Sequence, residues 1–167
     1  MKSWQRIFNM TLILGVTSLL HADDFQAGTP NPGRPELGQL RRFEGVWTAE
    51  LPNSTDSVSS RRKWILNGMF LEHDFELSNG DVRGKILRGF DVEHQRYTLT
   101  IFVSSGGTEQ LTGYWDEDLK TMTFNAANGS SEIQKYESYF PDDQTEKWTI
   151  TLQSGGQVSA TAKKRPE

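Results

Sequence analysis

The chain of 167 residues contains no cysteine. No disulfide can staple it, no thiol can serve as nucleophile or metal ligand, and no cysteine follows the N-terminal apolar run to carry a lipid. Histidine is nearly as scarce, with three in the chain and no pair at the spacing a zinc site uses. A Gly-x-Ser-x-Gly elbow, a P-loop and a dinucleotide-binding glycine pattern are all missing. Basic charge is short as well, since 18 Lys and Arg face 22 Asp and Glu, a formal net charge of −4. The clusters Arg41-Arg42 and Arg61-Arg62-Lys63 are too brief to reverse that balance, so neither nucleic acid nor an anionic membrane surface is an expected partner.

Long apolar runs are limited to one, at the start. Lys2 and Arg6 give a positive n-region, residues 7–20 are mostly apolar and uncharged, and Ala22 is a small residue suited to a cleavage site. Residues 1–22 therefore read as a signal peptide, and export to the periplasm or the medium is the expected localisation. The run is shorter than the roughly 20 residues of a membrane-spanning helix. Asn9, Gly15 and Thr17 interrupt it, and Asp23 and Asp24 follow, so no stable span is expected after cleavage. Leu20 is bulkier than the cleavage pattern prefers, which leaves a retained anchor as the alternative. Cleavage removes Lys2 and Arg6 but no acid, leaving 16 basic residues against 22 acidic ones.

Residues 23–34 contain Gly28, Pro30, Pro32 and Gly33 and few large apolar side chains, the composition of a flexible leader. The domain is expected over 35–167. Pro35 suits a first helical turn, Glu36 suits the positive end of the dipole, and Leu37, Leu40 and Phe43 make an apolar stripe that Gly45 ends. After this one short helix the pattern becomes runs rich in β-branched and aromatic residues: 46–51, 57–66, 70–77, 82–90, 96–103, 109–115, 121–125, 133–140, 147–152 and 158–162. Asn67-Gly68 and Asn79-Gly80 supply the positive φ of tight hairpins, and Ser105-Gly106-Gly107, Asn128-Gly129 and Ser154-Gly155-Gly156 punctuate longer links.

Such short links join antiparallel neighbours, so the expected fold is all-β, an up-and-down meander of about ten strands. Tyr97, Leu99, Ile101 and Val103 share one face against Arg96, Thr98 and Thr100, and Trp148, Ile150 and Leu152 repeat the alternation. With so little helix to cover the apolar face, the sheet must cover itself. Closure into a barrel does so and removes the edges; a β-sandwich is the alternative.

The opening Phe43-Glu44-Gly45-Val46-Trp47, preceded by a short helix and followed by the meander, resembles the calycin group, the lipocalin and fatty-acid-binding barrels. In that group a Gly-x-Trp packs its Trp across the closed end. Gly89-Phe90-Asp91 and Gly113-Tyr114-Trp115-Asp116, each ahead of a charged turn, are similar to turns that recur two hairpins apart in an uncharacterised family of bacterial lipocalin-like domains, a domain of unknown function. The similarity spans 35–152 and implies a fold without an assigned chemistry. This chain departs from it after Tyr97, where residues 101–105 stand in place of an expected Trp and acid. The haem-binding barrels of nitrobindin type need a glycine-rich first strand and a C-terminal His, whereas Thr48 and Ala49 follow Trp47 and no His follows His94. No cofactor is expected.

His73 alternates with Leu71, Phe75 and Leu77, which aims it into the barrel, while Glu72, Asp74 and Glu76 face out. A hydrogen-bonded core histidine, a ligand-orienting group and a proton-transfer group are all compatible with that position. Same-face carboxylates lie about 7 Å apart along a strand, too wide for one cation, so the acidic row reads as a solvated face and no metal site is assigned. Arg88 shares its parity with Val82, Ile86 and Phe90. Inward it would grip a carboxylate headgroup; a bulge near Gly84 or Gly89 would turn it outward, and the sequence leaves both open. Trp47, Trp64 and Trp115 read as core or cavity lining.

The expected function is non-catalytic binding of a small, largely apolar ligand, with Trp47, Trp64, His73, Phe75, Arg88 and Trp115 as candidate lining. One alternative is a filled barrel acting through its surface as a protein-interaction or envelope-associated module. Another is an enzyme using His73, for which a neighbouring carboxylate would be required.

Overall fold

A computed structural model of the chain describes residues 28–52, 54–129 and 131–166. The signal peptide expected at 1–22 lies outside them. Among the described residues helical structure is confined to Pro35–Phe43, and it is a 3-10 helix. The reason is in the spacing: Leu37, Leu40 and Phe43 recur every third residue, so a three-residue turn eclipses them on one face, where an α-helix would fan them apart. All three are 1% exposed or less.

Ten strands follow: β1 (Gly45–Glu50), β2 (Ser57–Ile65), β3 (Phe70–Leu77), β4 (Arg83–Asp91), β5 (Arg96–Val103), β6 (Thr108–Asp116), β7 (Thr121–Ala126), β8 (Ile133–Asp142), β9 (Thr145–Leu152) and β10 (Gln157–Arg165). Each pairs antiparallel with its chain neighbours, and β1 pairs with β10 to close the barrel. Closure leaves no strand edge to aggregate, which suits a chain without disulfides. Register is continuous except in β8, which slips against β9 between Ile133 and Lys135 and between Tyr139 and Asp142.

The 3-10 helix plugs one end. Trp47, 1% exposed, donates its indole N–H to the carbonyls of Phe43 at 2.9 Å and Glu44 at 3.1 Å, tying the plug to β1. At the opposite end Val58, Phe75, Val103, Ile150 and Leu152 are only half-buried, giving that mouth an apolar rim. The turns that carry Gly89-Phe90-Asp91 and Gly113-Tyr114-Trp115-Asp116 have a local logic. Asp91 accepts from the backbone N–H of His94 at 3.2 Å and Asp116 from that of Leu119 at 2.9 Å, so each aspartate shapes the turn that follows. Gly113 has to be glycine, because a Cβ there would stand 2.0 Å from the carbonyl oxygen of Thr123.

Residues 28–34, the described part of the expected flexible leader, lie on the β2–β3 turn. Pro30 is buried, and Asn31 donates from its backbone to Gly68 at 3.0 Å and from its side chain to Asn67 at 3.3 Å. Gly68, at φ +70°, permits this approach; a Cβ there would be 2.3 Å from the carbonyl oxygen of Thr29. On the outer face the carboxylate row is answered by neighbouring cations: Glu72 meets Lys85 at 2.5 Å and Lys63 at 3.5 Å, Asp74 meets Lys85 at 2.9 Å, and Glu76 meets Arg83 at 3.0 Å. Hydrogen bonds that Lys85 donates to the carboxylates of Glu72 and Asp74 push its ammonium up from its ordinary value.

The plug is part of the core, and its Phe43 is fully buried. Phe43→Ala is expected to cost about 3–5 kcal/mol, read as a lowered urea midpoint at unchanged m-value. A loss of about 0.5 kcal/mol or less, the size of a surface change, would mean that the helix merely rests on the barrel.

Candidate functional site

Strand alternation carries polar groups from five strands into one layer above the plug. From β2 come Ser60 and Arg62, from β3 His73, from β4 Arg88, and from β8 and β9 Tyr136, Ser138 and Glu146. The two orientations of Arg88 are resolved here. β4 pairs with β5 without interruption from Gly84 opposite Val103 to Asp91 opposite Arg96, so no bulge breaks the period and Arg88 points inward with 0% exposure.

Glu146, equally buried, is fully answered: Arg62 Nη1 donates to its Oε2 at 2.6 Å and the Ser138 hydroxyl to its Oε1 at 2.7 Å. Arg88 has no carboxylate among the described residues. Its guanidinium donates to His73 Nδ1 at 3.1 Å and reaches the Tyr136 hydroxyl at 3.5 Å, and it stacks 4.4 Å from the centroid of the Phe43 ring. Arg62 lies 4.9 Å from the Trp47 centroid and 5.9 Å from that of Phe43. The aromatic faces supply part of the negative potential that missing carboxylates do not.

The chemistry of Arg88 fixes the tautomer of His73. A guanidinium offers only donors, so Nδ1 must accept and the imidazole proton resides on Nε2. Burial, with the charges of Arg62 and Arg88 adding to it, holds the imidazole well below its usual value, so it is neutral at physiological pH. Burial likewise draws Arg88 down, yet an arginine begins so high that it stays charged. Tyr136 is pushed up, first by burial and then by Glu146, and stays protonated. Two cations therefore face one anion, an excess of one positive charge inside the barrel.

Three of the four buried side-chain N and O atoms without a partner among the described residues belong to this cluster: Arg62 Nε, His73 Nε2 and Arg88 Nε. All three are N–H donors. Above them is a cavity of about 230 Å³ whose polar lining is Ser60, Arg62, His73 and Tyr136 and whose walls include Trp47, Phe75, Ile86, Ile101, Trp148 and Ile150. Gly84 makes room for one wall: it pairs with Phe75, and a Cβ there would sit 2.3 Å from the Phe75 ring. A larger hollow of about 750 Å³ lies on the outer flank of β1, β9 and β10 among Thr48, Lys147, Thr149, Thr161 and Lys163. It presents no buried polar group lacking a partner, so chemistry favours the smaller, internal space.

Of the residues singled out from the sequence, Trp47, His73 and Phe75 line the cavity. Arg88 stands behind His73. Trp64 and Trp115 lie toward the plugged end instead, each with its indole N–H on a carboxylate. Trp64 donates to the Glu44 carboxylate at 3.2 Å; Trp115 donates to Glu117 at 2.6 Å beneath the Arg42 guanidinium. Sequence reasoning missed Arg62, Tyr136, Ser138 and Glu146. Arg62 shares parity with Val58 and Trp64, and Glu146 with Trp148, Ile150 and Leu152, and that parity was the available signal.

The excess cation makes two substitutions diverge in sign. Arg88→Met should stabilise the protein by roughly 1 kcal/mol or more, since removing an uncompensated buried charge outweighs two long hydrogen bonds, whereas Glu146→Gln should cost about 3–5 kcal/mol by stranding Arg62. Urea unfolding of both variants decides it, and destabilisation by Arg88→Met as large as that by Glu146→Gln would refute the charge count. A third expectation concerns pH. His73 stays neutral in the fold but titrates near 6.5 once unfolded, so the unfolded state binds the extra proton on acidification. Stability should therefore fall as pH drops below about 6.5, by up to about 1.4 kcal/mol per unit from this group, until the lowered folded value is reached. The charges of Arg62 and Arg88 act on the ring; a flat profile just below about pH 6.5, or one unaltered in His73→Gln, would show that His73 is not buried neutral.

No curated protein matches the chain. The family described as "Protein of unknown function (DUF1579)" matches residues 34–161, from the start of the plug into β10. That match spans most of the chain and nearly all of the barrel, together with every residue of the buried polar layer, and the chain therefore belongs to the DUF1579 family.

Proposed function

We propose that the protein is an exported, lipocalin-like barrel that binds a small, largely apolar molecule whose polar end accepts hydrogen bonds. The observation that carries this reading is the internal cavity lined by Arg62 and His73, each of which holds an unpartnered N–H donor within the wall. Buried donors without acceptors cost about 1–3 kcal/mol each, so a protein that keeps them at the base of an apolar pocket is built as a half-finished hydrogen-bonding site. At about 30 Å³ per water, the space equals seven or eight waters, enough for a small ligand but not for a large one.

The cavity weighs against a filled barrel that acts only through its surface. The partner of His73 weighs against an enzyme: an imidazole that works as a general base is oriented by a carboxylate, and Nδ1 here faces a guanidinium. Export rests on the residues of 1–22, a feature of the sequence.

Native mass spectrometry of the protein purified gently from its own host should show a small added mass that is lost on denaturation. Val103→Trp, which crowds the mouth at a cost of about 1–3 kcal/mol, should abolish that mass while leaving a cooperative fold. The unliganded mass alone in the wild-type protein, or a mass retained in Val103→Trp, would overturn the reading. The exported form should begin at Asp23 by N-terminal sequencing; one that begins at Met1 would make it an anchored protein.

A further inference from the structure

We infer that the polar end of the ligand is a single carboxylate, seated between Arg62 and His73, with Arg88 as a positioning residue acting through His73. The inference rests on the cavity-binding reading above and adds the chemical class of the ligand.

Charge comes first. Arg62 and Arg88 face Glu146 alone, and His73 and Tyr136 are neutral, so the interior carries one positive charge too many. One monoanion cancels it. A neutral head would leave the excess in place, and a dianion such as a phosphate monoester would reverse it. Hydrogen bonding points the same way: the atoms without partners are N–H donors, and an ionised carboxylate is acceptor-only.

Geometry then selects the pair that makes contact. Arg62 and His73 are directly opposite on β2 and β3, and both line the cavity. Side chains of such a pair originate about 5 Å apart, a spacing that lets two donors address the two oxygens of one carboxylate. Arg62 Nε and His73 Nε2 lie within the wall, so the headgroup seats by parting these two side chains. Arg88 does not line the cavity. By donating to Nδ1 it keeps the proton of His73 on Nε2 and places its charge immediately behind the ring. The body of the ligand is set by the walls: with room for seven or eight water-sized groups, an alkyl chain of about that many carbons fits beneath the rim formed by Val58 and Val103, and a longer tail emerges there.

The test is calorimetric titration of the purified protein with octanoate, 1-octanol, octylammonium and octyl phosphate, with Trp47 and Trp148 in the cavity wall as a parallel fluorescence readout. Octanoate is expected to bind at least tenfold more tightly than 1-octanol or octyl phosphate, and octylammonium not at all. In Arg88→Met the preference for octanoate over 1-octanol should fall below about threefold while 1-octanol affinity is kept, a split that general loosening of the barrel would not produce. His73→Gln, which retains a donor, should keep more of the preference than His73→Leu. Equal binding of octanoate and 1-octanol overturns the carboxylate and leaves the cavity reading standing. Tighter binding of octyl phosphate overturns the single charge, and an undiminished preference in Arg88→Met overturns the role of Arg88. If none of the four binds, the cavity reading falls and the inference with it.

Discussion

A guanidinium inside a β-barrel cannot escape its charge by losing a proton, as a buried lysine or carboxylate can. Everything around it must therefore be arranged to tolerate that charge. In this barrel the arrangement is a layer in which Arg62 is matched by Glu146 and Arg88 is not. The imbalance sets the tautomer and neutrality of His73, the orientation of Tyr136, and the electrostatic character of the cavity above.

The plug makes the layer possible. Phe43 presents its ring to both guanidiniums and packs edge-on against Phe140 at 4.8 Å, so one residue of the 3-10 helix seals the barrel and supplies a negative π-face. Trp47 joins the plug to β1 and also touches the cavity, which connects the closed end mechanically to the binding end. Outside, the ion pairs among Lys63, Glu72, Asp74 and Lys85 are partly solvated and contribute little each. Stability comes from the filled lower half of the barrel, and the upper half is left open. That division is what is expected of a fold that gives up some stability to keep a competent site.

Much of the fold is legible in the sequence because period two and turn chemistry are local. Tyr97 to Val103 and Trp148 to Leu152 announce their faces without help from the rest of the chain. The spacing of Leu37, Leu40 and Phe43 announces the helix, and only the choice of 3-10 over α needs the structure. The polar layer is harder for a definite reason. In Ser57-Val58-Ser59-Ser60-Arg61-Arg62-Lys63-Trp64 polar residues occupy both faces, so hydrophobicity does not reveal that Arg62 is inside and Arg61 outside. Glu146 sits one residue before an obvious strand and looks like a turn residue, although parity with Trp148 places it inward. Pairing of Arg62 with Glu146 joins residues that no local pattern connects. The docking of Asn31 on the β2–β3 turn is invisible for the same reason, since Pro and Gly composition reports freedom of the unfolded chain and not the contacts that remove it.

The account stands on the charge state of one buried layer, and His73 is its reporter. Nitrogen-15 NMR of the imidazole in the purified protein, followed from pH 7 to about 6.5, where a free imidazole is half protonated, measures that state directly. A neutral ring protonated on Nε2 throughout, with Nδ1 accepting, is the result the structure requires. An imidazolium within that range, or a proton on Nδ1, would mean that Arg88 is not the charged donor behind His73, and the excess positive charge that organises the site would not exist.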